Sequence, residues 1–131
     1  MFNHVMVGAN DIEKSKTFYE KVLGVLGFEG KGMENTAASG HKRVFFRHNG
    51  GTLAVSQPID DQPATHGNGS TIGFVCDSPE QVKRFHDVAV EHGGTSCEEA
   101  PGLREGAMGP MHLSYVRDPS GNKLCAIHRP G

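Results

Sequence analysis

The side chains best suited to chemistry in this sequence are three cysteines, eight histidines and two tyrosines. Cys76, Cys97 and Cys125 are odd in number and lack CxxC spacing, which points to reduced thiols, with no disulfide framework and no zinc knuckle. Cys125 lies in Leu124–Ile127, an apolar run that follows the turn Asp118-Pro119-Ser120-Gly121. In a regular hairpin Tyr115 lies across from Cys125, on the same face. Its hydroxyl can then bond a ligand or act as a weak acid, or it can be satisfied within the core. His112 falls on the opposite strand face. An imidazole can serve as a general base near neutral pH, although no carboxylate is visible to orient this one. Arg43 and Arg104 can hold an acidic ligand through paired N–H donors. Arg104 sits in the Gly-rich run Leu103–Pro110, where it either closes over a binding site or is a solvated charge paired with Glu105. There is no G-x-S-x-G elbow, phosphate loop or dinucleotide fingerprint.

Composition narrows the class. Hydrophobic content of 36% and charged content of 21% suit a soluble globular chain. The length fits a single domain, 1–131, whose two halves share one core. A net charge of −2 offers no basic footprint for nucleic acid. No apolar run approaches the roughly 18–20 residues of a membrane span. Met1–His4 has neither the basic region nor the apolar core of an export signal, so the cytoplasm is the expected location.

The elements that must position these residues follow from periodicity. Residues 2–8 alternate as a strand, with His4, Met6 and Gly8 on one face and Val5 and Val7 on the other. Asn10 or Asp11 caps a helix on which Ile12, Tyr19, Val22, Leu23 and Leu26 recur at helical spacing, with Phe18 beside them. A weak strand is expected near Phe28, then a loop over 35–40. Strands at 43–48 and 52–56 flank the hairpin signal Asn49-Gly50-Gly51. Residues 58–69, rich in Pro and Gly, read as a linker. The pattern then restarts. A strand covers 70–76, Ser78 caps a second helix with Pro79 first and Gln81 completing a capping box, and a weak strand covers 95–98. A loop follows over 99–109, and the chain ends in the hairpin.

Module one (1–57) and module two (70–131) are thus two copies of strand–helix–strand–strand–strand, and the strand and turn at Arg47–Thr52 recur at Arg117–Asn122. This repeat resembles the vicinal oxygen chelate superfamily, the glyoxalase / bleomycin resistance protein / dioxygenase group. The residues that carry the resemblance are HVMVGANDIEKSKTFYEKVLG at 4–24 and RDPSGNKL at 117–124.

The resemblance implies an α+β fold of two tandem βαβββ modules. Their curved mixed sheets form a cup, usually in a homodimer. In metal-dependent relatives the cup holds a divalent ion (Zn, Ni, Mn or Fe) on His or Glu from the first and last strands of each module. His4 matches the first of these positions. Val55, with a register uncertain by one residue, and Thr71 fall at the second and third, where neither is a usual ligand; His66 in the linker is the nearest imidazole. The fourth, a Glu in the family pattern, is Cys125, more in keeping with a small buried hydrophobe than with a ligand. The expectation is therefore a protein that binds a small organic molecule without the usual metal. Its cup is lined by His4, Met6, Val55, Thr71, Tyr115 and Cys125, with Arg104 at the mouth. The alternative is a metal-dependent glyoxalase-type lyase with a displaced ligand set.

Overall fold

The computed structural model describes residues 1–130. Its elements are β1 (Val5–Gly8), α1 (Ile12–Val25), β2 (Met33–Thr36), β3 (Lys42–His48), β4 (Gly51–Ser56), β5 (Ile72–Val75), α2 (Pro79–Glu91), β6 (Thr95–Ser96), β7 (Gly102–Gly106), β8 (Gly109–Arg117) and β9 (Lys123–His128). The first sheet has the order β1-β4-β3-β2. The second runs β5-β9-β8-β6, with β7 also paired to β8. In each sheet the first strand lies parallel to the last strand of its module, and the remaining pairs are antiparallel. This is the mixed α+β architecture implied by the repeat.

Capping decides where the helices start. Asp11, one of the two candidates, caps α1: its carboxylate accepts the Lys14 N–H at 3.1 Å. Asn10 instead accepts the Ala64 N–H at 2.7 Å, tying the linker to the start of the helix. Ser78 accepts the Gln81 N–H, and the Gln81 side chain accepts the Asp77 N–H at 2.6 Å, a capping box displaced by one residue.

Two strands fall where the sequence reads otherwise. The first is β2, Met33–Thr36, rather than a strand near Phe28. Phe28 belongs to a loop and packs its ring edge-on against Phe46 at 5.6 Å. Every residue of β2 is exposed, so an edge strand of this kind shows no apolar alternation. The second is β7, within the expected 99–109 loop. It lies off the main path of its sheet, and its glycines and Pro101 hide the strand signal.

Both helices contribute to one buried cluster. Phe18, Tyr19 and Val22 of α1 join Val82, Phe85 and Ala89 of α2, with Val44, Phe46 and Val55 from the first sheet and Val116, Leu124 and Ala126 from the second. Polar contacts fix the two halves around this core. Tyr19 Oη donates to Asp118 Oδ2 at 2.6 Å, Asn122 Nδ2 donates to Gly8 O at 2.9 Å, and Gln81 Nε2 donates to Val25 O at 2.8 Å. Asn10 N–H donates to Ser120 Oγ at 3.0 Å.

Tyr19 is fully buried, and burial first, then the Asp118 carboxylate, pushes its phenol well above its ordinary pKa of 10.0. The folded state keeps this proton where the unfolded chain has lost it. The contribution of the neutral phenol is therefore intact below about pH 10 and declines as pH rises above it. Tyr19→Phe, which deletes one buried hydrogen bond and leaves Asp118 short of a donor, should cost about 1–3 kcal/mol in urea unfolding at pH 7. The loss relative to wild type should shrink above pH 10. An equal loss at pH 7 and pH 11 would contradict the assignment.

Candidate functional site

Strand register sorts side chains between the helix-covered face and the open, concave face of each sheet. In the first sheet Met6 pairs with Ala54, Ala54 with Phe45, and Phe45 with Met33. These four form an apolar row on the concave face. Val55 pairs with Val7 and Val44 on the other face and is fully buried in the core. Val55 therefore does not line the cup. The ends of β4 on the concave face are Ala54 and Ser56, one residue away from the expected register, because Leu53 and Val55 are the side chains that meet α1.

In the second sheet Gly73, Cys125 and Tyr115 form a concave row across β5, β9 and β8, as expected for the hairpin pair. Lys123 and Arg117 form the next row. The Lys123 ammonium lies 4.8 Å from the centre of the Tyr115 ring and bonds the Glu98 carboxylate. Burial is the main force raising the Cys125 thiol above its ordinary pKa of 9.0, with a Tyr115 hydrogen bond acting in the opposite direction. Tyr115 is raised from 10.0 by burial first and then by Cys125. Both groups are protonated at neutral pH, which makes the thiol a poor nucleophile and a poor metal ligand.

A cavity of about 330 Å³ opens between the edge strands β1 and β5. Met6 and Gly8 reach it from the first sheet, Thr71 and Lys123 from the second, and His66 and Ser70 from the linker. A second cavity, of about 420 Å³, shares Met6, Gly8 and Thr65 and extends beneath Pro58, Asp60 and Ala64. The linker is thus the wall of a groove that runs along β1. Two contacts hold it there: Asn10 with Ala64, and His41 Nε2 with Asp61 Oδ1 at 2.7 Å. Gly121 makes room for the wall. Its φ is +94°, and a Cβ at this position would stand 3.3 Å from His66 Nδ1.

Met6 and Thr71 therefore come together as expected, and the other expected residues do not join them. His4 is exposed, 2.7 Å from the Asn3 side chain. Tyr115 and Cys125 meet each other, but neither lines the groove. Arg104 is spent on its own loop: it donates to Ala100 O at 2.8 Å and pairs with Glu99, not Glu105, at 3.5 Å. The residues that periodicity does not single out are Thr65, His66, Ser70, Asn122 and Lys123. For Thr65, His66 and Ser70 the signal in the sequence is a run of small hydroxyl and glycine residues just before β5, which reads equally well as a solvated linker.

The family model of the Glyoxalase/Bleomycin resistance protein/Dioxygenase superfamily matches residues 1–126. The chain belongs to this superfamily. A glyoxalase/bleomycin resistance protein from Albidiferax ferrireducens T118 is 55% identical over 98% of this chain and 99% of its own, with a TM-score of 0.89. A glyoxalase-related enzyme from Fulvimarina pelagi shares the fold at 17% identity, covering 99% of this chain and 88% of that one, with a TM-score of 0.73. A glyoxalase/bleomycin resistance protein/dioxygenase family enzyme from Burkholderia phytofirmans PsJN does so at 16% identity, with 96% of each chain covered and a TM-score of 0.69.

The donor set of this superfamily member does not fit a divalent ion in the cup. Of the two imidazoles nearest the cup, His4 points to solvent beside Asn3 and His66 lines the groove from the linker. The β4 positions offer Ala54 and Ser56, Thr71 stands just before β5 and Gly73 within it, and β9 offers a protonated thiol. Among the described residues no three His, Cys, Asp or Glu side chains gather closely enough to hold a metal. The same environment sets thiol reactivity. At pH 7.5 iodoacetamide should alkylate the partly exposed Cys97 well before the buried Cys125, as read by peptide mass mapping. Equal rates at the two positions would refute the protonated, enclosed state of Cys125.

Proposed function

We propose that this superfamily member binds a small organic molecule in the groove along β1, without the divalent ion that metal-dependent relatives use. The observation that carries this reading is the pairing of an accessible cavity with a donor set unsuited to metal. The groove has an apolar side chain, Met6, on its floor. Thr65, Ser70, Thr71, Asn122 and His66 surround it with hydrogen-bond donors and acceptors. A compact ligand with a small apolar body and several polar atoms matches this lining, since a few placed polar groups fix orientation while apolar contact supplies affinity.

The protein acts in this reading as a homodimer in the cytoplasm, its thiols reduced. The exposed concave-face side chains Met33 and Val75 are apolar surface that a second copy would cover. Among the described residues no group of three His, Cys, Asp or Glu side chains stands ready to hold the metal that glyoxalase-type lyase chemistry needs.

Metal content measured by mass spectrometry on the purified protein and on His4→Ala tests the first half of the proposal. No stoichiometric metal that depends on His4 is expected, and no turnover of a 2-oxoaldehyde–thiol adduct after addition of Ni or Zn. Metal lost with His4, or such turnover, would overturn it. Thermal-shift screening against small polar compounds tests the second half. Stabilising compounds should lose their effect in Thr71→Trp, which fills the groove; hits that are indifferent to this change would place the site elsewhere.

A further inference from the structure

A pair of histidines lies outside the groove, on the helix-side face of the second sheet. His112 of β8 is directly opposite His128 of β9. Directly opposed residues on neighbouring antiparallel strands have Cβ atoms about 4.5–5.5 Å apart and point the same way. Here the two ring centroids are 6.3 Å apart, with the ring planes 35° from parallel. Both side chains are partly exposed.

The hydrogen bonding at His128 gives the pair a direction. His128 Nδ1 lies 3.0 Å from the backbone carbonyl of Cys76. A carbonyl only accepts, so Nδ1 carries the proton and Nε2 is left with its lone pair. A metal-bound histidine is typically held in this way, with one ring nitrogen donating to a carbonyl so that the other is fixed as ligand. The Cys76 carbonyl is itself held in place, because the chain at Cys76 is bonded to β9 through Cys76 N–H to Ile127 O at 2.7 Å. His112 makes no side-chain hydrogen bond among the described residues, so both of its nitrogens are uncommitted. With metal–nitrogen bonds of about 2.0–2.1 Å, two imidazoles on one ion have centroids roughly 5–6.5 Å apart, depending on the angle at the metal. At 6.3 Å the pair stands close to the upper, nearly linear limit, so it fits two trans positions of a square-planar ion.

We infer that His112 and His128 form a two-imidazole site for a divalent transition metal, with water in the remaining positions. Imidazole pairs suit Cu, Ni and Zn, with Cu held most tightly. Mg and Ca, which take oxygen ligands, are excluded by the same chemistry. The ion would clip β9 to β8 at their last ladder pair, His112 with His128, and would stabilise the folded chain increasingly as free metal rises above its Kd. The site is independent of the groove and of His4.

Titration of the purified, metal-stripped protein with CuSO4 and ZnCl2, read by calorimetry and by thermal melting, tests this site. One equivalent should bind with an accompanying rise in Tm, and Cu should bind more tightly than Zn. His112→Ala should weaken binding at least tenfold and abolish the rise in Tm. His128→Gln should do the same, while His41→Ala and His4→Ala should behave as wild type. MgCl2 should have no effect. Retained affinity in both His112→Ala and His128→Gln, each checked for folding by circular dichroism, would overturn the proposal. So would binding that is lost in His4→Ala, which would instead speak against the metal-free reading of the groove.

Discussion

The carboxylate of Asp118 is 3% exposed and accepts four hydrogen bonds: from Tyr19 Oη, Asn122 Nδ2 and the backbone N–H groups of Ser120 and Asn122. A buried carboxylate with an unmet lone pair is costly, so this set of donors has to form together. Its consequences extend well beyond the turn. Tyr19 belongs to the first half of the chain, so its bond aligns α1 with the closing hairpin. Asn122, held by Asp118, passes a second amide hydrogen to Gly8 O and fixes the end of β1. One side chain thereby links both modules at the strand ends where the groove begins.

This also explains, in physical terms, why the turn is spelled Asp-Pro-Ser-Gly-Asn. The Asp caps its own turn through Ser120 and Asn122. Gly121 takes a left-handed φ and leaves space for His66. The Asn122 side-chain amide carries two N–H hydrogens and gives one to Asp118 and one to Gly8. The corresponding hairpin of the first module, His48 to Gly51, turns through Asn49 and Gly50, both at positive φ, and makes no such link. The two modules therefore share the parallel pairing of first and last strands but differ in strand number, four against five, and in their fastenings.

The repeat, the two helices and their caps were legible because each is a local pattern: period 3.6 on α1 and α2, Ser78-Pro79, Asn49-Gly50. The Tyr115–Cys125 pairing was legible for the same reason, since a tight hairpin fixes its register. Val55 was misplaced because β4 presents Leu53-Ala54-Val55-Ser56 with all four residues buried. A strand closed on both faces has no alternation to show which face meets the helix. β2 failed for the opposite reason, being exposed throughout. The wall of the groove was hidden because loop residues such as His66 and Ser70 owe their position to Asn10, His41 and Gly121, all distant in sequence.

The tether between Asn10 and Ala64 has a further implication. The wall of the groove is anchored at a few backbone points, and its side chains contribute little to the buried core. Residues 58–70 can therefore vary in chemistry while the packing of helices and sheets stays the same. Recognition and folding are written in separate parts of the chain, and a lineage carrying this scaffold is free to change what it binds without first relearning how to fold.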